Sequence, residues 1–166
     1  MRAEWINPFL FSLANTFDTV LSCSIERGAL KLRDGSNATH EVSGIIGLTG
    51  AVAGMVVLSL SRSLALKAAS TMLMTELAEI DDEVIDAVGE LTNMVAGAAK
   101  CDLGPYELSI GLPSVITGQD HRVRFPSEVT PIVAPYQSPW GPLTLEIGLA
   151  ATADSKTASA AALSAR

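Results

Sequence analysis

Residues 42–61 read Val42-Ser-Gly-Ile-Ile-Gly-Leu-Thr-Gly-Ala-Val-Ala-Gly-Met-Val-Val-Leu-Ser-Leu-Ser61, twenty residues without a charge. As one helix this stretch would have the length of a membrane span, and Gly50 and Gly54 stand at GxxxG spacing. As strands, the runs Ile45-Ile46-Gly47-Leu48 and Met55–Leu60 flank a glycine-containing turn within Thr49–Gly54. Gly44, Gly47, Gly50 and Gly54, interspersed with Ser and Thr, favour the hairpin over the membrane helix. Ala51-Val52-Ala53 then forms an apolar loop tip, expected to pack on a partner or a symmetry mate.

Working outward, Ile6, Phe9/Leu10, Leu13, Phe17 and Val20/Leu21 recur at three- and four-residue steps, predicting a helix over 5–24. Asn7 reads as its cap and Pro8 as its first residue. A strand follows over 25–33, then a turn at Asp34-Gly-Ser-Asn37. Beyond the hairpin, Ser63 reads as the cap of a second helix through Met72. Asp81-Asp82-Glu83 opens a third, which runs to about Leu103 and stops at Gly104-Pro105. Strands are expected at 106–116, 121–125, 131–136 and 143–149. Strands that come in runs, without alternating with helices, predict an α+β domain: an antiparallel β-sheet packed against long helices. The order hints at a weak internal helix-strand-strand pseudo-repeat. Residues 1–150 read as one domain, and 151–166 as an Ala/Ser-rich C-terminal tail.

Composition narrows the function. The chain has 166 residues, enough for one domain that buries about two-thirds of its surface. Apolar residues make up 48% and charged residues 17%, which excludes a disordered chain. A net charge of −7 without a Lys/Arg cluster argues against nucleic acid, anionic membranes and free nucleotides. Cys23 and Cys101 make neither a disulfide framework nor a zinc motif, and His40 and His121 are isolated. Glu4, Asn7 and Pro8 interrupt any signal-peptide layout, so the expected location is cytoplasmic, without membrane insertion.

The informative helix is Asp82–Lys100. Val84, Val88, Leu91, Val95 and Ala98 form an apolar stripe expected to face the sheet. About 200° around lies a second stripe: Asp86, Glu90, Asn93 and Gly97. Glu90 and Asn93, three apart, are neighbours on that outer face. A Glu on an outer helix face is ordinarily just a solvated charge. Asn93 is less ordinary, because Asn is a poor mid-helix residue. Gly89 and Gly97 each cost about 1 kcal/mol relative to Ala and bare the backbone to a close-approaching surface.

The string Asp86-Ala-Val-Gly-Glu90-Leu-Thr-Asn93-Met-Val-Ala-Gly97-Ala-Ala-Lys100 resembles the signature helix of the CheC/CheX/FliY group of chemotaxis phosphatases, which carry Glu-x-x-Asn on an exposed helix. The 43–59 segment resembles the group's central hairpin, and Leu112-Pro-Ser-Val-Ile-Thr-Gly118 the strand after the signature helix. The resemblance spans roughly residues 5–150 and is closer to the CheX branch, because Ser12-Leu-Ala-Asn15 lacks the acid of a second site.

That resemblance implies hydrolysis of the aspartyl phosphate of a CheY-type response-regulator receiver domain in chemotaxis or two-component signalling. Asn93 would position the attacking water and Glu90 would anchor the receiver's lysine, with Asp86 and Gly97 contacting the partner. It implies no cofactor of the chain's own, Mg2+ held by the receiver, and a homodimer whose sheets join across subunits. Residues 143–149 are the expected joining edge. Asp81, Asp82 and Glu83 read as a cap and not as metal ligands. The alternative function is a non-catalytic receiver-binding adaptor or a flagellar-switch structural module of the same fold, and behind it a membrane-associated protein using residues 42–61.

Overall fold

The computed structural model describes residues 2–33 and 40–152. The 34–37 turn and nearly all of the Ala/Ser-rich tail lie outside the described residues. The elements run α1 (Ala3–Leu21), β1 (Glu26–Arg27), β2 (Lys31–Leu32), β3 (Val42–Thr49), β4 (Val52–Leu60), α2 (Arg62–Leu73), α3 (Asp82–Asp102), a 3-10 turn (Gly104–Tyr106), β5 (Ser109–Ile110), β6 (Ser114–Thr117), β7 (Ile132–Ser138) and β8 (Gly141–Ala151).

The uncharged stretch is a hairpin, not a span. β3 and β4 pair antiparallel from Val42↔Leu60 to Leu48↔Gly54. No helix among the described residues is long and apolar enough to cross a membrane. The turn sits at Gly50-Ala51, with Gly50 at φ 143°, a backbone region that suits glycine. The expected apolar tip does not exist. Val52 already belongs to β4, paired with Ala151 and 2% exposed. Ala51 is tied down as well, donating to the Tyr106 carbonyl and accepting from the Thr152 N–H, both at 3.1 Å.

Period-2 alternation turns Val42, Ile46 and Leu48, Val56, Leu58 and Leu60, and Leu143, Leu145 and Ile147 towards the helices, where they are buried. All strand pairs are antiparallel, in the order β1-β7-β8-β4-β3-β5, with β2 also on β7 and β6 also on β3. The α+β expectation holds, and the pseudo-repeat is not confirmed by this topology. Within 143–149, Leu143–Ile147 are not a free joining edge, because this part of β8 lies between β4 and β7 and pairs with both.

Three boundaries move. α1 starts at Ala3 with Arg2 as cap, and Pro8 lies inside it; Asn7 does not cap. The earlier start brings Trp5 and Ile6 into the core, and the Trp5 ring meets Tyr106 edge-on at 6.0 Å. Ser61, not Ser63, caps α2, while the Ser63 hydroxyl donates to the Trp140 carbonyl at 2.7 Å. The strand expected over 106–116 breaks into β5 and β6 around Leu112-Pro113, since proline cannot donate to a ladder.

Residues 121–125 form no strand. They belong to an irregular connection from β6 to β7 that crosses the sheet face away from the helices. His121 Nε2 lies 2.8 Å from Ser43 Oγ, Arg33 Nη1 donates to the Val123 carbonyl at 2.6 Å, and Phe125 packs on Gly148. Beneath it are buried Val57, the Ser43–Ser59 hydroxyl pair and Glu146, whose carboxylate is 3.3 Å from Arg33 Nε.

Gly44 sets the seat of α3. A Cβ there would lie 2.9 Å from Thr92 Cβ and closer still to its hydroxyl, which is committed to the Val88 carbonyl at 2.7 Å. Gly44→Ala is therefore expected to cost about 1–3 kcal/mol, the price of overpacking a close-packed contact, measured by urea unfolding.

Candidate active site

α3 is built to be held straight and shown on one side. The Asp81 carboxylate accepts from the Val84 N–H at 3.1 Å, Asp82 and Glu83 sit in the first turn, and Lys100 in the last, each suiting the helix dipole. Val84, Ala87, Val88, Leu91, Thr92, Val95, Ala96 and Ala99 are buried among α1, α2 and β3. Ala98, expected in that stripe, is exposed and Ala99 takes its place, because a 3.6-residue period brings 95 back into phase at 99. The stripe faces α1 and α2 as well as the sheet. The Ser12 hydroxyl crosses that seam to the Val95 carbonyl at 2.7 Å, so position 12 is interior and does not offer a second outer site.

On the other side, Asp86 and Glu90 are exposed while Asn93 and Gly97 are half-buried. Gly89, Asn93 and Gly97 fall at four-residue steps on one line, and that line runs beside the β5–β6 segment. A Cβ on Gly89 would meet Val115 Cγ2 at 3.5 Å and Pro113 Cγ at 3.8 Å, and one on Gly97 would meet Ile110 Cδ1 at 3.9 Å. A methyl at either position would make only ordinary van der Waals contact, so the chain's own loop runs beside this line without depending on the glycines. This wall of Ile110, Pro113 and Val115 is what residue-by-residue reading missed as part of the site.

Neither Glu90 nor Asn93 makes a side-chain hydrogen bond or ion pair among the described residues, whereas Glu41 is held by Arg62 and Glu4 by Arg2 and Tyr106. Tyr106's hydroxyl, with help from Arg2, holds the Glu4 carboxyl below the usual range. Asp82, Asp86 and Glu90 make a like-charged ladder at four-residue steps, costing about 0.2–0.5 kcal/mol per pair. The dipole offsets this only in the first turn, so at Glu90 the fold gains nothing from the charge.

Clefts of about 650, 420 and 270 Å³ among the described residues lie elsewhere and are not lined by Glu90 or Asn93. An open helix face with a low wall suits a macromolecule better than a small ligand. Among the described residues no group of three or more His, Cys, Asp or Glu side chains is placed to hold a metal.

The family described as chemotaxis phosphatase CheX matches residues 42–137, which include both the hairpin and α3. The chain belongs to the CheX family. The CheY-P phosphatase CheX of Thermotoga maritima is 30% identical over 127 residues, 75% of this chain and 82% of that protein. The crystal structure of a CheC-like superfamily protein from Shewanella sp. PV-4 is 35% identical with a TM-score of 0.84, covering 90% of this chain and 99% of that one. A chain of the CheX–CheY–BeF3–Mg2+ complex from Borrelia burgdorferi shares the fold at 24% identity and TM-score 0.77, covering 89% of this chain and 99% of that one.

Proposed function

We propose that this protein hydrolyses the aspartyl phosphate of a CheY-type receiver domain. The observation that carries the reading is the Glu90/Asn93 pair: two polar side chains one helical turn apart, on a rigid outer face, with no partner of their own among the described residues. Membership of the CheX family and the name of the Thermotoga maritima relative support the substrate class.

An acyl phosphate is activated already. Water attacks phosphorus, the bond from phosphorus to the aspartyl oxygen breaks, and the products are inorganic phosphate and a free carboxylate. Such a reaction asks mainly for an in-line water and stabilised charge. Asn93 suits the first task, because its amide can both donate to and accept from a water without gaining charge. Glu90 would pair with the receiver's lysine and fix the register of the docked domain, with Asp86 and Gly97 contacting the partner at the edges. A carboxylate acting as base beside the phosphoryl group would add repulsion, so anchoring is the role assigned. Mg2+ belongs to the receiver, as the composition of the Borrelia burgdorferi complex suggests, and it would neutralise charge on the transferring phosphoryl oxygens.

The test is the decay of a phosphorylated CheY-type receiver in Mg2+ buffer with and without this protein. Acceleration is the expected result. Detectable binding with unchanged decay would replace the phosphatase by an adaptor. Glu90→Ala should lower kcat/KM by about 30-fold, the effect of removing one partner of a desolvated charge pair worth about 2 kcal/mol.

A further inference from the structure

Leu112 is 92% exposed, and a lone exposed leucine would ordinarily mean little. Its setting is unusual. The Gly111 N–H donates to the Gly47 carbonyl at 2.9 Å on one side. On the other, Pro113 fixes its own φ and packs against Gly89 of α3, and β6 follows at once, paired to β3. A large apolar side chain is thus held in place by a backbone anchored at both ends, while nothing among the described residues covers it. A partner docking on it would not have to order the loop first.

The loop reaches α3 at Gly97 through Ile110 and at Gly89 through Pro113, and Asn93 lies midway between those glycines on the same line. Eight residues of helix span about 12 Å. A standard protein–protein footprint of about 800 Å² per partner is roughly 30 Å across. A footprint of that size centred on Asn93 takes in the loop that carries Leu112.

We infer that Leu112 is a docking knob for the phosphorylated receiver, entering an apolar depression on that domain and setting its affinity while leaving the chemistry to Asn93. The inference rests on the reading of the α3 face as a receiver site. It places a rigid apolar anchor beside a polar pair, the arrangement typical of energetic centres in interfaces.

The experiment compares wild type, Leu112→Ala and Leu112→Asp, using steady-state receiver dephosphorylation, direct binding to a beryllofluoride-activated receiver, and sedimentation. Leu112→Asp should raise KM and the dissociation constant at least about tenfold, with kcat within about twofold, unfolding midpoint unchanged and oligomeric state unchanged; Leu112→Ala should fall between. An active wild type whose KM and binding are untouched by Leu112→Asp would overturn the inference and leave the phosphatase reading standing. A wild type that neither binds nor accelerates decay of any receiver would remove both. A change of oligomeric state in Leu112→Asp would assign the knob to a second copy of the chain and overturn it too.

Discussion

Replacing Asn93 with alanine is expected to reduce receiver dephosphorylation by about 10²-fold or more in kcat, the scale of a lost positioning group, while binding of the receiver is retained. The residue is half-buried on the outer face of α3, its side chain makes no hydrogen bond among the described residues, and it lies outside the core cluster, so the fold has little to lose. Ala is also the better helix former, and the variant should unfold at equal or slightly higher denaturant. A stopped-flow or fluorescence record of phosphoreceiver decay, run beside a urea titration, separates the two effects. Loss of rate together with loss of stability would show that Asn93 holds the helix in place and does not act on water.

Arg33→Met is expected to be the most damaging single change to stability. Glu146 is 2% exposed, placed between Val57 of β4 and Val133 of β7, and its carboxyl is pushed above the ordinary range by burial, with Arg33 pulling it back down. Arg33 also donates to the Val123 carbonyl and lies over the Phe125 ring, 5.3 Å from its centroid, so one side chain ties the crossing segment to the sheet. Removing it leaves an uncompensated buried carboxylate, at a cost of about 3–5 kcal/mol.

The pH dependence has a definite sign. A carboxyl with a raised folded pKa contributes stability that is fully present below its unfolded value and lost as pH rises through its folded value. Without Arg33 that folded value climbs further. The gap between wild type and variant should therefore be small near pH 4.5 and wider at pH 8, read from urea midpoints at the two pH values. Arg33→Met/Glu146→Leu should recover most of the loss at pH 8, since a packed apolar pair replaces the lone charge. A pH-independent deficit would place the damage in the lost packing on Phe125 instead.

The sequence alone was enough for the hairpin over 42–61, the cap at Asp81, the length of α3 and the pairing of Glu90 with Asn93. Each of these depends on local rules: glycines interrupting β-branched runs, a short acid accepting from a free helix N–H, and the 3.6-residue period. They are short-range, and they survive folding unchanged. What lay between distant residues was decided by the tertiary structure. Leu143–Leu149 reads as any half-buried strand, and only the pairing of β8 with both β4 and β7 makes it central, because sheet order is not encoded in alternation. Residues 121–125 alternate like a strand but become a cover for Ser43 and Glu146, their backbone spent on Arg33 and their side chains on the sheet face. Asn93 gains a wall on one side because the 110–115 segment runs along α3 past Gly89 and Gly97, a contact between segments that no periodicity within either could reveal.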